Sequence, residues 1–304
     1  LLAAFGQNDP FFSYYMFNRT FFNPAAAGSE KLSTVTLQHR SQWLGYSSSF
    51  DGSGGAPSTQ LLTVDIPVER YISGIGATIV NDNLGPQSNF AVQIPISYTI
   101  PLRFSSLSIG LMPGFFSRTL KFDELRFNDP SDPFNVGTRE TQGLFNLGAG
   151  LFYQTDKSLF IGVGATNLLE PEFNFGIDSL LNRLEMGLNA TAGFTFPLTR
   201  NLDATPSLLV RSDLNTYTFD INMMMDYKNL AWGGLSFRRS EALVVLLGYS
   251  FLANNELKVG YALDIIVNEQ DAKQPTSHEF VVRYNVPNFR FGGKKPVKSP
   301  RFSF

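Results

Sequence analysis

The stretch Leu257-Lys258-Val259-Gly260-Tyr261-Ala262-Leu263-Asp264-Ile265-Ile266-Val267 decides the fold. Bulky apolar residues occupy every odd position, whereas small or charged residues and one isoleucine occupy the even positions. This period of two predicts a β-strand with two different faces, because successive side chains in a strand point to opposite sides of the sheet. The same alternation recurs over 89–100, from Leu184 to Phe196, and over 217–227.

About fourteen such segments follow one another, an even number as bacterial transmembrane barrels have. They average about 12 residues, longer than the ~5–6 of globular sheets and close to the ~9–11 that cross a bilayer when tilted. This length favours a membrane barrel over a soluble β-sandwich. The predicted spans are 32–44, 58–67, 72–81, 89–100, 104–118, 142–154, 158–168, 182–196, 202–211, 215–227, 230–238, 242–251, 256–267 and 277–286.

Long and short connections alternate between these segments, which is the organisation of outer-membrane barrels with short periplasmic turns and longer external loops. The long connections are 45–57, 82–88, 119–141, 169–181 and 268–276, although 212–214 and 239–241 on the same side are short. The predicted fold class is therefore all-β: a transmembrane antiparallel β-barrel of about 14 strands, with an N-terminal plug or periplasmic segment. The bulky phase is expected to face lipid and the other phase the lumen.

The composition agrees with a barrel and excludes other classes. The chain has 304 residues, of which 43% are hydrophobic, 14% aromatic and 16% charged, and its mean hydropathy is −0.04. No apolar run approaches the ~18 residues of a membrane-spanning helix, and the aromatic content excludes an intrinsically disordered chain. A net charge of −2 offers no basic surface for nucleic acid. The lack of cysteine excludes a disulfide framework and a Cys-ligated metal.

The two ends of the sequence fall outside the predicted barrel, which covers 32–287. Residues 1–6 are interpreted as a signal-peptide remnant, with an ordinary apolar segment as the alternative. Residues 7–31 are predicted to plug the lumen or cap the periplasmic mouth, because so apolar a segment must be buried. Residues 288–304 are predicted to form a basic periplasmic tail, either solvated or docked on a partner. The N-terminal aromatics are Phe11, Phe12, Tyr14, Tyr15, Phe17, Phe21 and Phe22.

Glycines recur on the phase predicted to face the lumen. A glycine in a strand permits the close approach of another backbone, and relief of strand curvature is the alternative reason. The predicted partner-binding positions are Gly74, Gly76, Gly148, Gly150, Gly162 and Gly164. Charges of both signs share this phase and indicate a salt-bridged or plugged interior rather than an ion filter. They are Arg40, Asp65, Glu185, Asp220, Asp226, Lys258, Asp264 and Arg283.

Four short motifs occur in order near the N-terminus. They are Tyr14-Tyr15-Met16-Phe17-Asn18 with Asn23-Pro24-Ala25-Ala26-Ala27-Gly28, then Arg40, Gln42 and Trp43, then Gly55-Ala56-Pro57 with Thr59-Gln60, and finally Asn81-Asp82 with Gly85-Pro86. Together they resemble the motifs of the PorP/SprF family of type IX secretion outer-membrane proteins. The sequence departs from the family pattern at Arg19, where proline is usual, and at Ala26, where tyrosine is usual.

The resemblance implies an outer-membrane barrel of a Gram-negative bacterium that uses type IX secretion. It also implies a role in exporting or attaching large secreted proteins, including gliding adhesins. The expected partners are a secreted substrate or its C-terminal domain, periplasmic secretion or gliding-motor proteins, and outer-membrane lipid. No cofactor or metal is implied.

An enzymatic role finds little support in the residues. His39 and His278 lie on the first and last predicted strands, which become neighbours if the barrel closes, so a metal pair or a hydrolase is conceivable. Both lie on the bulky phase near strand ends, where an interface role is the better interpretation. Asp51, Asp123, Asp129 and Asp132 on predicted external loops are either a calcium site or solvated loop residues. We therefore expect no enzyme.

Three functions stay open on the sequence. The favoured one is a barrel whose loops and glycine-rich wall bind and anchor a secreted adhesin at the cell surface. The second is a structural component of the secretion or gliding machinery that contacts periplasmic partners through 7–30 or 288–304. The third is a passive porin-like channel.

Overall fold

The computed structural model describes residues 10–46, 55–68, 72–124, 138–156, 158–175, 181–267 and 274–287. Their strands are β1 (Ser33–Ser41), β2 (Ser58–Pro67), β3 (Gly74–Leu84), β4 (Gln87–Gln93), β5 (Ile96–Pro101), β6 (Ser105–Lys121), β7 (Arg139–Thr155), β8 (Leu159–Thr166), β9 (Glu172–Asn174), β10 (Leu181–Arg183), β11 (Gly187–Phe194), β12 (Phe196–Thr199), β13 (Leu202–Ser212), β14 (Tyr217–Tyr227), β15 (Ala231–Arg238), β16 (Ala242–Phe251), β17 (Leu257–Ile266) and β18 (Thr276–Val286).

The main sheet is antiparallel and closes on itself. β1 pairs with β18 over its full length, from Ser33 opposite Val286 to Ser41 opposite His278. On the far side of the barrel β11 pairs with both β8 and β13. Two walls are each split in two, into β4 with β5 and into β11 with β12, so the barrel has fourteen walls. The predicted fold class and strand number are confirmed.

Proline accounts for the splitting of one wall. Pro95 separates β4 from β5, because it lacks the N–H group that a continuous strand would donate. The neighbouring strands bridge the break: the Gly76 N–H donates to the Pro95 carbonyl at 2.8 Å, and the Ile94 N–H donates to the Pro113 carbonyl at 2.9 Å. The predicted strand 89–100 is therefore a single wall built from two strands.

The two faces of the wall differ as the alternation predicts. Bulky residues such as Phe145 (59% exposed), Leu235 (65%) and Leu247 (59%) point outward, where lipid would cover them. Inward positions on the same walls carry buried polar residues, including Asn146, Ser236 and Asp220. An apolar exterior around a polar interior is the arrangement of a transmembrane barrel, the inverse of a soluble sandwich.

One part of the pattern was misread. The alternation places Leu184 on a lipid-facing strand that begins at 182, but β11 begins at Gly187 and Leu184 is fully buried. The preceding residues Leu181–Arg183 pair with Glu172–Asn174 as a small separate sheet. Leu184 packs beside this hairpin with Phe122, Phe173 and Phe175. The alternation with a period of two continues through this loop because the loop contains a short β-hairpin of its own.

The barrel has two unlike ends. We call the end with connections 42–57, 122–138, 167–186 and 267–275 the loop end, and the opposite one, with turns such as 102–104, 200–201 and 228–230, the short-turn end. β6 and β7 are 17 residues each and pair along their whole length, from Ser105 opposite Thr155 to Lys121 opposite Arg139. On one side this hairpin extends past its neighbour at the loop end, because β8 ends at Thr166 and its pairing with β7 begins only at Ala149. On the other side β4 pairs with β6 as far as Leu120, opposite Gln87.

Helical structure in the described residues is short. Before β1 the chain makes two 3-10 turns, Tyr15–Phe17 and Pro24–Ala26, and one α-helical turn, Arg19–Phe22. Two further 3-10 turns, Phe122–Glu124 and Ala253–Asn255, lie in connections. Within the described ranges, none of these helices has the length or the apolar content needed to cross a membrane.

Candidate functional site

The N-terminal segment, defined here as residues 10–32, contacts strands from around the whole barrel. Tyr14 Oη donates to the Leu247 carbonyl of β16 at 2.7 Å, and Tyr15 Oη lies 2.8 Å from Ser207 Oγ of β13. On the other side Asn23 Nδ2 donates to the Leu151 carbonyl of β7 at 2.8 Å. A segment with partners on opposite walls lies inside the barrel. Burial raises the pKa of Tyr14, so its phenol stays protonated and can donate.

Aromatic packing fills the space around this segment. The Tyr14 and Phe17 rings stack with their centroids 5.4 Å apart, and Phe17 meets the edge of Trp232 on β15 at 5.5 Å. Phe21 contacts Phe12 at 5.7 Å in a T-shaped pair. Such pairs add about 0.5–1.5 kcal/mol each to the burial of apolar area. The aromatic side chains of the N-terminal segment are therefore buried against the inner face of the wall, which is the kind of surface that so apolar a segment was expected to need.

A glycine-lined strip of wall accommodates the backbone of residues 22–28. A Cβ at Gly164 would overlap the carbonyl oxygen of Phe22, and one at Gly74 would overlap the carbonyl of Ala27. Gly110, which is on the same phase, faces Pro24 and Ala25 in the same way. The segment lies this close because Asn23 Oδ1 accepts the Ala25 N–H at 3.0 Å and caps the Pro24–Ala26 turn.

The six predicted partner-binding glycines divide into two groups. Those that face the N-terminal segment are Gly74, Gly150, Gly162 and Gly164, the second and third of which lie against the Asn23 side chain. Gly148 faces Met112 and Ala165 of the wall, and Gly76 faces chiefly Val64 and Pro95, with Thr20 of the segment farther away at 3.7 Å. Among the described residues, the backbone and side chains that approach these glycines belong to the same chain. Binding of a separate partner to this wall stays a prediction.

An ionic cluster near the loop end holds residues 13 and 14. Arg40 Nη1 lies 2.6 Å from Asp264 Oδ2 and 3.5 Å from Glu279. Arg238 lies 2.8 Å from Asp220 and 3.2 Å from Asp264. Glu241 lies 3.6 Å from both arginines. All of these side chains are buried, and buried charges persist only when paired and hydrogen-bonded.

The N-terminal segment supplies donors that the arginines do not. The cluster has two arginines and four carboxylates, so its carboxylates need further N–H or O–H donors. Ser13 and Tyr14 donate their backbone N–H groups to Glu279 at 2.7 and 2.9 Å. Ser13 Oγ donates to Asp264 at 2.8 Å. Docking of the segment therefore supplies three hydrogen bonds to Glu279 and Asp264.

A second ionic contact holds the segment near the short-turn end. Arg283 pairs with Glu30 through two contacts, one of them 3.3 Å long. Burial opposes the ionisation of Glu30, but Arg283 and Arg19 outweigh it and lower the pKa of this carboxyl. Asp65 accepts the N–H of Gly28 at 2.7 Å and the hydroxyl of Thr20 at 3.0 Å. Gly28 has φ of 72°, which favours glycine at this position.

The other motif residues gather at the loop end of β1–β3 but on both faces of the wall. Toward the lumen, Arg40 joins the ionic cluster, Gln42 Nε2 donates to Glu241 at 3.4 Å, and Asp82 accepts from Thr59 at 2.6 Å. On the outer face, Asn81 Nδ2 donates to Gln60 at 2.7 Å. Three residues shape the backbone here: Pro57, whose carbonyl accepts from Gln42 N–H, Gly85, which has φ of 65°, and Pro86, whose carbonyl accepts from Lys121 N–H.

Two motif residues contact partners that the motifs alone do not indicate. The backbone N–H of Trp43 donates to Ser277 Oγ of β18 at 3.0 Å. This hydrogen bond connects the loop after β1 to β18, the strand that closes the barrel against β1. Asn18 Nδ2 donates to Gln38 Oε1 of β1. Tyr15, Met16 and the Pro24–Ala26 turn are buried in the interior. The motif set thus marks the N-terminal segment and the part of the wall that receives it.

The two histidines lie on adjacent strands, as predicted. His278 Nδ1 is 2.6 Å from Tyr261 Oη, and His39 Nε2 is 3.2 Å from Ser41 Oγ. Both rings face outward, and each binds a different hydroxyl. In the part of the chain that the structure describes, His, Asp and Glu form no group that could hold a metal ion. Asp123 pairs with Arg139 at 3.0 Å, and Asp51, Asp129 and Asp132 lie outside the described residues.

Sequence reasoning missed several residues of the interior, among them Ser13, Glu30, Arg238, Glu241 and Glu279. Ser13 and Glu279 are 266 residues apart, and pairing over such a distance has no signal in a single sequence. Glu279 did carry a local signal: it stands between His278 and Phe280 on the lumen phase of a predicted strand. A carboxylate on that phase needs a partner, because a buried charge persists only when it is paired.

A closed antiparallel barrel with an apolar exterior and a polar, filled interior is an outer-membrane β-barrel, and known structures agree. The chain is similar in fold to the toluene transporter TbuX of Ralstonia pickettii, with a TM-score of 0.52, 9% identity, and coverage of 88% of this chain and 92% of that one. It is also similar to the monoaromatic hydrocarbon channel CymD, with a TM-score of 0.51, 10% identity, and coverage of 88% and 92%. None of the curated proteins matches the sequence.

The family follows from the sequence itself. Residues 4–284 match the family described as type IX secretion system membrane protein PorP/SprF. The match covers all of the barrel strands up to Tyr284, and the chain belongs to this family. The protein is therefore an outer-membrane barrel of the type IX secretion system in a Gram-negative bacterium. Its family and fold are those of a structural or transport protein.

Proposed function

We propose that this type IX secretion barrel binds a secreted adhesin, or the C-terminal domain of one, at its loop end and anchors it at the cell surface. The observation that carries the proposal is the structure of the hairpins at the loop end. The β6–β7 hairpin extends past β8 and is paired to its last residues, Lys121 and Arg139. Beside it the β9–β10 hairpin buries Phe173, Phe175 and Leu184 against Phe122.

This arrangement supports a firm platform rather than a set of independent loops. Arg118 links the two hairpins, since its guanidinium lies 5.2 Å from the Phe173 ring and donates to Asn182 at 2.5 Å. A preorganised surface loses little conformational entropy on binding a partner. The aromatic cluster at its centre is buried, so it stiffens the platform rather than contacting a partner.

Copurification tests the proposal. The barrel is isolated from its native membrane in mild detergent, and the secreted proteins that accompany it are identified by mass spectrometry. Replacing 125–137 by a Gly/Ser segment of equal length should abolish recovery of the secreted partner while the barrel still folds. The matched control is Phe104→Ala at the short-turn end, where Phe104 is 68% exposed. Equal recovery with both variants would overturn loop-end binding.

A passive channel is the contrasting candidate, favoured by the hydrocarbon channel and transporter among the similar structures. The filled interior supports a closed barrel instead, because the N-terminal segment bonds to opposite walls. Planar-bilayer recordings separate the two: we expect little conductance from the whole chain and a marked rise when residues 10–30 are deleted. High conductance from the intact chain would favour the channel.

Contact with periplasmic machinery is the remaining candidate. Crosslinking from Lys294 and Lys295 tests it, since a docked tail should yield periplasmic partners. Crosslinks to those proteins that persist after replacement of 125–137 would show that the two contacts are separate.

A further inference from the structure

A cavity of about 540 Å³ opens at the short-turn end, between the N-terminal segment and the wall. The turn residues Asn229, Asn254 and Asn255 lie at its mouth. Its inner part is apolar and includes Met16, Phe160 and Met224. In bacterial barrels the short turns face the periplasm. The cavity is thus at the opposite end from the loops discussed above, and the two proposals can fail independently.

The charges around the cavity balance. Arg19, Lys258 and Arg283 are basic, and Glu30, Asp203 and Asp226 are acidic. Asp203 and Asp226 stand directly opposite each other on β13 and β14, while Glu30 is bound by Arg283. A site without net charge suits a monoanion better than a multiply charged phosphate. Its carboxylates can also accept N–H groups from a ligand.

Arg19 is a member of this group without an ion-pair partner among the described residues. Its guanidinium lies over the Phe160 ring, with Cζ 4.1 Å from the ring centroid, and its Nε is buried without a hydrogen bond. Among the described residues no ion pair to Arg19 is formed, because the nearest carboxylate, Glu30, is taken by Arg283. Burial therefore lowers the pKa of Arg19, only partly offset by Glu30.

Arg19 as a whole is half-buried, and a partly desolvated guanidinium without a carboxylate is costly unless a ligand pairs with it. Guanidinium groups bind carboxylates through two parallel hydrogen bonds, and stacking on an aromatic ring orients the fork. Proline is usual in the family pattern at position 19, so this arginine is a departure of this chain. Its placement at an open cavity beside apolar side chains indicates a ligand rather than a fold requirement.

We propose that this cavity binds the free C-terminal carboxylate of a polypeptide whose last side chain is apolar. The carboxylate pairs with Arg19, the apolar side chain lies against Phe160 and Met224, and the peptide N–H groups donate to Asp203 or Asp226. A fatty acid shares the carboxylate and the apolar part, but it has no N–H donors for the acidic wall. The polar mouth therefore favours a peptide.

Calorimetric titration of the folded barrel in detergent tests the proposal. The probes are N-acetylalanylphenylalanine, its C-terminal amide, and octanoate. We expect the free acid to bind at least tenfold more tightly than the amide, and also more tightly than octanoate. Arg19→Gln should weaken the free acid at least tenfold, and Arg19→Lys should recover part of the loss. The control is Arg103→Gln, because Arg103 stacks on Phe104 outside the cavity.

Several outcomes would overturn the proposal. Equal binding of the acid and the amide, or binding that Arg19→Gln leaves unchanged, would remove the carboxylate role. Octanoate binding as tightly as the peptide would assign the site to fatty acids instead. Lack of binding by the unmodified barrel would also overturn it. Because Arg19 is the first residue of its helical turn, Arg19→Pro offers a second variant that this position tolerates, and it too should lose the free acid.

Discussion

The two ionic clusters that hold the N-terminal segment differ in how completely they are paired. At the loop end Arg40 and Arg238 are enclosed with four carboxylates. Ser13 donates to Glu279 and Asp264, and Tyr14 donates to Glu279. At the short-turn end Arg283 and Glu30 pair beside an open cavity, and Arg19 has no carboxylate of its own. The first cluster is built to stay closed, whereas the second has room for a ligand.

This contrast has a consequence for how the segment could move. Release at the loop end would leave Glu279 without the N–H groups of residues 13 and 14 in a buried setting. Release at the short-turn end would expose groups that already border an open cavity. Any displacement of the segment should therefore begin at the short-turn end. The following variants test this order, beginning with the largest expected effect.

Asp264→Leu should cause the largest loss of stability. It removes contacts to Arg40, Arg238 and Ser13 together, including the shortest ion pair of Arg40, at 2.6 Å. Breaking a buried ion pair from one side destabilises by ~3–5 kcal/mol. Urea unfolding in lipid vesicles should show a loss of that size, and the N-terminal segment should become sensitive to protease. A loss under 1 kcal/mol would mean that the loop-end cluster does not hold the segment.

The sequence predicts the barrel well and this cluster poorly, for a physical reason. Strand spans follow from a period of two that is local to each strand, so all fourteen walls could be located. The partners of Asp264 come from β1, β15 and residue 13, which meet only when the barrel closes. The glycines showed that some backbone approaches the wall, but nothing local shows that it is Phe22 or Ala27.

Gly164→Ala should have the next largest effect. Its Cβ would overlap the Phe22 carbonyl oxygen, and backbone cannot rotate away as a side chain can. Overpacking of this kind costs ~1–3 kcal/mol. The matched control is Gly233→Ala, because a Cβ there would lie 3.5 Å from Leu247 Cδ2, an ordinary contact. Protease sensitivity of the segment in the first variant but not in the second is the expected result, and equal behaviour would contradict it.

Glu30→Gln should cost less, about 1–2 kcal/mol, because the amide keeps a hydrogen bond to Arg283 but loses its charge. Since the pKa of Glu30 is lowered in the folded protein, its contribution is fully present above the unfolded value of ~4.3 and is lost as the pH falls through the folded value. Protease sensitivity of the segment should therefore rise below about pH 4 in the unmodified barrel. In the Gln variant this part of the pH dependence should be absent, and an unchanged pH profile would count against the pairing.

Asp123→Asn should have the smallest effect, although its ion pair is as short as those inside the barrel. Asp123 lies 3.0 Å from Arg139, but the two side chains are 37% and 59% exposed. Water solvates both partners when the pair is broken, and exposed pairs contribute ~0.2–1 kcal/mol. Urea unfolding should place this variant within about 1 kcal/mol of the unmodified barrel. A loss as large as that of Asp264→Leu would mean that distance, and not enclosure, sets the strength of these contacts, and the contrast between the two ends would then need another cause.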